Sequence, residues 1–242
     1  HAIVRLYLDY PGIESGLPDY LDGTVPCTPY TEHGGGCSPD YEHPELRDAM
    51  LGLITALGAA YDGDPRLGFL QVGLLGFWGE WHTYPHSDWF ASPTVQAEVL
   101  GAFDQAFKVT QLQVRLPYAN ATELRIGYHD DSFAQATVGD VGWYFVPTLE
   151  AKGAADRWMS VALGGEIRPE LQSTLFSDNY IVDATHQDFE TCVNDTHVSY
   201  LLNYHAFSGD GTGYQGSQRA AAEVGAQRLG YQFSLAAARL NV

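Results

Sequence analysis

Two glutamates are the residues of this 242-residue chain best placed to do chemistry. Glu80 lies in Phe77-Trp78-Gly79-Glu80-Trp81-His82, directly after a long apolar run, with an indole on each side. A carboxyl group held against aromatic walls loses solvation, which raises its pKa and keeps a proton available for a leaving group. Glu166, in Gly164-Gly165-Glu166-Ile167-Arg168, follows a later apolar run. There two glycines allow a ligand to approach closely, and Arg168 is placed to hold a carboxylate ionised. One carboxyl kept protonated and one kept charged form the pair that glycoside hydrolysis uses. The expectation is therefore a retaining glycoside hydrolase acting on a poly- or oligosaccharide, with Glu80 as general acid/base and Glu166 as nucleophile. Its rival is a non-catalytic carbohydrate-binding barrel in which the same residues hold a glycan that is never cut.

Other residues at the ends of apolar runs fit a sugar site. His129, Asp130 and Asp131 form a cluster in which adjacent side chains point to opposite faces, so one of the two aspartates faces a ligand. Trp78, Trp81 and Trp143, with Tyr7, offer flat apolar faces for sugar rings. His82, Asp9, Arg115, Arg168, Asn203 and His205 complete the candidate binding set, and Arg5 lies on the same strand as Asp9. No cofactor and no metal is expected. His82 and His86 are four apart, but Pro85 between them breaks the helix on which they would share a face. An ion between His82, His129 and Asp130 is a third, weaker reading. The chain has no G-x-S-x-G elbow, no G-x-G-x-x-G and no Walker sequence.

Strand-like runs alternate with helical patterns. Ala2 to Asp9, Leu67 to Trp78, Gln111 to Leu116, Arg125 to Tyr128, Met159 to Leu163 and Val198 to Leu202 read as strands. Pro44 to Tyr61, a segment from Ser92-Pro93 to about Lys108, and Ser217 to Leu229 read as helices; Tyr231 to Ala236 reads as a last, unplaced strand. Such alternation calls for a parallel sheet with helices outside it. Because the acids, His and Trp residues end several different strands, the expected α/β architecture is a (β/α)8 TIM-type barrel, whose strand ends converge on one mouth. Six strands are two short of eight. The expectation is a single barrel domain over residues 1–242, lacking its first two strands, unless a segment such as Val141 to Val146 supplies one. His1 leads straight into a strand, which suggests a mature product or a fragment.

Thirty acidic against twelve basic side chains give a net charge of −18, which repels nucleic acid. The longest apolar run is too short to span a membrane, so no membrane partner is expected. The aromatic-rich, lysine-poor composition suggests a secreted, periplasmic or extracellular carbohydrate-active protein. Cys27 and Cys37 bracket a Pro/Gly-rich loop and could pair in an oxidising compartment, which leaves Cys192 as a small buried residue.

The strings Val4-Arg5-Leu6-Tyr7-Leu8-Asp9-Tyr10-Pro11, Gly73 to His82, Ile126-Gly127-Tyr128-His129-Asp130-Asp131-Ser132-Phe133, Gly164-Gly165-Glu166 and His197 to Asn203 resemble, in order, those of the uncharacterised DUF4832 family. The resemblance implies a glycoside-hydrolase-type TIM barrel, often secreted and joined to β-sandwich modules, in which two strands precede the one matched by Val4 to Asp9. It further implies that Glu80 ends the fourth barrel strand as acid/base and Glu166 the seventh as nucleophile. One departure stands out: the related retaining clan carries Asn before the acid/base, and this chain carries Gly79.

Overall fold

The computed structural model describes residues 2–207 and 213–230. Its order is β1 (Ala2–Asp9), β2 (Cys27–Tyr30), β3 (Gly36–Pro39), α1 (Pro44–Tyr61), β4 (Leu67–Phe77), α2 (Pro93–Ala106), β5 (Gln111–Val114), β6 (Ile126–Phe133), α3 (Phe145–Ala151), β7 (Gly164–Ile167), α4 (Phe189–Thr196), β8 (Leu201–Leu202) and α5 (Gly216–Ala226). Six strands form one sheet in the order β1-β4-β5-β6-β7-β8, every pair parallel, while β2 and β3 form a separate antiparallel hairpin.

The helices follow from local sequence. In α1, Leu46, Met50, Ile54 and Gly58 recur at helical spacing and form its buried stripe, with Pro44 in the first turn, where its missing N–H costs nothing. Ser92 caps α2 by accepting a hydrogen bond from the Val95 amide, and Pro93 follows at the first helical position. These two helices pack together beside β4, whose last eight residues are all buried.

The sheet is curled into a half-barrel. Neighbouring strands lie about 4.8 Å apart, so in a flat sheet β1 and β6 would be separated by roughly 14 Å. Yet Arg5 on β1 reaches Asp131 on β6 at 2.7 Å, and Gln71 on β4 reaches Tyr200, the residue before β8, at 3.0 Å. The concave face is therefore narrow enough for side chains from distant strands to meet across it.

Several boundaries differ from those read in the sequence. The strand expected at Met159 to Leu163 is displaced to Gly164–Ile167, because Arg157–Met159 forms a 3-10 turn. The strand expected to stop at Tyr128 runs on to Phe133, so His129, Asp130 and Asp131 lie within β6. Val141 to Val146 supplies no strand: it is a turn leading into α3. The β2–β3 hairpin occupies what reads as a Gly/Pro loop, and Cys27 and Cys37 are joined by a disulfide across it. Cys192 is free and buried. The strand expected at Tyr231 to Ala236 lies outside the described residues. Among those residues, no helix is long and apolar enough to cross a membrane.

Candidate functional site

Arg5 stands at the centre of the concave face. Its Nε donates to Gln71 Oε1 at 2.7 Å, its Nη1 to Glu80 Oε1 at 2.8 Å and its Nη2 to Asp131 Oδ1 at 2.7 Å. Below it, Gln71 donates to the Tyr200 hydroxyl, which donates to Gln113 Oε1, and Gln113 donates to the Ala162 carbonyl at 3.0 Å. Side chains from β1, β4 and β5, with Tyr200, thus form one polar floor, with Glu80 and Asp131 fixed above it.

Glu80 is positioned by a folded-back strand end. Against β1, β4 carries register shifts between Arg5 and Tyr7 and between Tyr7 and Asp9, so two residues of β1 face three of β4 each time. Bulges of this kind re-aim side chains. Leu74, Gly76, Trp78, Gly79 and Trp81 all have positive φ, and the Phe77 and His82 backbones close the loop with a 2.8 Å hydrogen bond. Gly79 is required there: its φ is +68°, and a Cβ would lie 2.6 Å from the Leu6 carbonyl oxygen. An Asn at this position, which the resemblance to the retaining clan would call for, does not fit this backbone.

Trp81 corrects a sequence expectation. It is 0% exposed, packs on Tyr118 and donates its indole N–H to the Val72 carbonyl at 2.7 Å, so it anchors the loop and cannot stack on a sugar. Trp78 is half-buried, with its ring centre 5.1 Å from that of His33 and 5.9 Å from that of His82. His82 places Nε2 3.6 Å from Glu80 Oε2.

On β6, His129 and Asp131 share the concave face, and Nδ1 of the imidazole is 2.9 Å from Asp131 Oδ1. Burial lowers the His129 pKa against the pull of Asp131, so the ring is neutral and Nδ1–H is the donor. Burial alone would raise Asp131, but Arg5, His129 and Arg115 outweigh it and hold the carboxylate well below its usual range. Asp130 faces the other way. It accepts from the Ser132 amide at 2.8 Å and the Thr137 hydroxyl at 2.6 Å, and burial pushes its pKa up to about 6. Asp130 is thus removed from the ligand-facing set, and His82, His129 and Asp130 do not converge on one ion.

Glu166 on β7 accepts from Gln172 Nε2 at 3.3 Å, and its pKa is pushed up to about 7. Burial is the main cause, followed by the negative charge of Asp131; Glu80 adds to it, while Arg5 opposes it. Arg168 does not hold Glu166. The chain turns at Pro169–Leu171 and aims Arg168 at Glu170, with Nε to Oε2 at 2.6 Å.

The remaining candidates are scattered. Tyr7 lies on the open face two residues from Arg5, edge-on to Tyr10. Asp9 is buried beneath the disulfide hairpin, where the Tyr30 hydroxyl donates to it at 2.5 Å and burial raises its pKa to about 6. Asn203 donates to Tyr214, which donates to the Gln172 carbonyl, and His205 packs near Tyr214. These two support the Gln172 side of the site rather than lining it. Trp143 is 66% exposed on the connection after β6, edge-on to Tyr144. A mainly apolar cavity of about 130 Å³ is lined by Ile167, Phe176, Tyr214 and Leu229 among others and does not include Arg5.

The polar floor of Gln71, Gln113 and Tyr200 escaped sequence reasoning. Its one legible sign was Gln71, a polar residue inside an apolar strand run. No family model and no curated protein matches this chain, so the likeness to DUF4832 rests on the quoted strings alone.

Proposed function

We propose that this protein is a retaining glycoside hydrolase on a TIM-type barrel scaffold, with the two carboxyl roles exchanged relative to the sequence expectation. Glu166 is the proton donor and Glu80 the ionised nucleophile. The observation that carries this reading is Arg5: its guanidinium bonds Glu80 and Asp131 on one face, while Glu166, nearby and ion-paired with no described residue, is pushed up to about 7. Glu166 gives its proton to the glycosidic oxygen as Glu80 attacks the anomeric carbon. Water, deprotonated by Glu166, then releases the sugar. Trp78 and Tyr7 flank the cleft as stacking faces. The likeness to DUF4832 supports the reading and suggests a secreted or extracellular enzyme with accessory β-sandwich modules.

The test is turnover on a panel of oligosaccharides and aryl glycosides by wild type, Glu166→Gln and Glu80→Gln. Loss of the acid should cost about 10²- to 10⁴-fold on natural linkages. Aryl glycosides whose leaving group needs no proton should recover activity in Glu166→Gln and not in Glu80→Gln. Recovery in Glu80→Gln instead would restore the original assignment. Glycan binding without turnover in any of the three proteins would favour the non-catalytic barrel.

A further inference from the structure

Two arginines face the carboxylate cluster, and they are used differently. Arg5 spends Nε, Nη1 and Nη2 on three acceptors. Arg115, directly after β5, approaches Asp131 only at ion-pair range, Nε to Oδ2 at 3.6 Å, and donates no hydrogen bond to any described residue. Its side chain is 21% exposed, so Arg115 is desolvated over most of its surface without being sealed off from solvent. Asp131 Oδ2 is buried and accepts no hydrogen bond from any described residue, so Arg115 helps to hold this carboxylate ionised through its charge and gives it no N–H. A planar fork of unspent donors in a partly desolvated cleft matches a carboxylate, which takes two parallel N–H···O bonds.

From this geometry, and resting on the reading of the cleft as a carbohydrate site, we infer that Arg115 recognises the carboxylate of a hexuronate and that the substrate is a glycan carrying such units singly among neutral sugars. The net charge of −18 sets the second half of the inference, because a densely charged polyuronate is repelled over the rest of the surface.

The experiment is titration calorimetry at pH 5.5 in a Glu166→Gln background, which keeps the neutral charge that Glu166 has there. The probes are a neutral oligosaccharide bearing one hexuronate, the same compound with its carboxyl reduced to the alcohol, and a polyuronate. Carboxyl reduction should weaken binding about 10- to 100-fold, the worth of a charge-assisted pair. The polyuronate should bind more weakly than the singly charged probe. Arg115→Lys keeps the cation beside Asp131 and should lose most of the preference, and Arg115→Gln all of it. Thermal midpoints identify any variant that fails to fold, and Arg115→Lys then carries the comparison alone. Equal binding of native and reduced probes, a preference that survives in Arg115→Lys, or no binding of the hexuronate probe overturns the inference. Wild-type turnover of the neutral glycan with no carboxylate preference would sink the inference and leave the hydrolase standing. A carboxylate preference without any turnover would do the reverse.

Discussion

Arg5 decides the electrostatics of the cleft. It is the cation that bridges Glu80 and Asp131, and the side chain of Asp131 is almost fully buried. Removing one partner of a buried pair leaves the other charge uncompensated, which costs about 3 to 5 kcal/mol. Arg5→Met should therefore lower stability by about 3 kcal/mol in chemical denaturation, whereas Tyr7→Ala on the same open face should change it little. The same ion pair gives Glu80 a cationic partner, Arg5, at 2.8 Å. With Glu166 titrating at about 7, activity that needs its proton should fall as pH rises through neutrality, and the alkaline limb of kcat/KM should report that group. Glu80 and Glu166 were legible in the sequence as strand-end acids, but their environments were not. Adjacent tryptophans suggested a desolvated Glu80. Instead Trp81 turns inward to the core, and Arg5, 75 residues earlier in the chain, supplies the partner.

At the level of elements, the site depends on the end of β4 and on the hairpin. Gly79→Ala places a side chain at positive φ against the Leu6 carbonyl, and should cost at least about 2 kcal/mol and displace Glu80. Thermal unfolding and residual turnover would both register it. The Cys27–Cys37 bridge closes a short loop, and its reduction should lower stability by about 2 to 3 kcal/mol. Because Tyr30 on the same hairpin donates to Asp9, reduction should also loosen the cover over the end of β1. Long periodic elements such as α1 and β4 could be read directly from the sequence. The hairpin could not, since Cys27–Tyr30 contains a proline and Gly36–Pro39 begins with glycine and ends with proline, residues that argue against strands. Strand β6 reads short because four consecutive polar residues, His129 to Ser132, follow its first three. His129, Asp130 and Asp131 are tolerated there only because each finds a partner across the curled sheet or behind it.

For the molecule as a whole, parallel pairing in the order β1-β4-β5-β6-β7-β8 was foreseeable from the alternation of elements. The curl was visible only in the strand ends that had to converge. The fold buries several acids, with a consequence for pH. Asp9 and Asp130 are raised to about 6 and Glu166 to about 7, all above their unfolded values. Between the unfolded and folded pKa values the native state binds more protons, so the stability from these groups is full at low pH and is lost as pH rises through 6 to 7. Asp64 and Asp183, lowered to about 2 by hydrogen bonds, act in the opposite sense and lose their contribution as pH falls below about 4 and through about 2. The thermal midpoint should therefore peak at about pH 4 to 5 and decline towards pH 8, with a shallower decline in Glu166→Gln. The measurement that bears most directly on the central claim is a carbon-13 NMR titration of the Glu166 side-chain carboxyl, assigned by its disappearance in Glu166→Gln. A midpoint near 7 is expected if this group holds the proton opposite the Arg5-paired Glu80; a midpoint at the ordinary glutamate value would contradict the account.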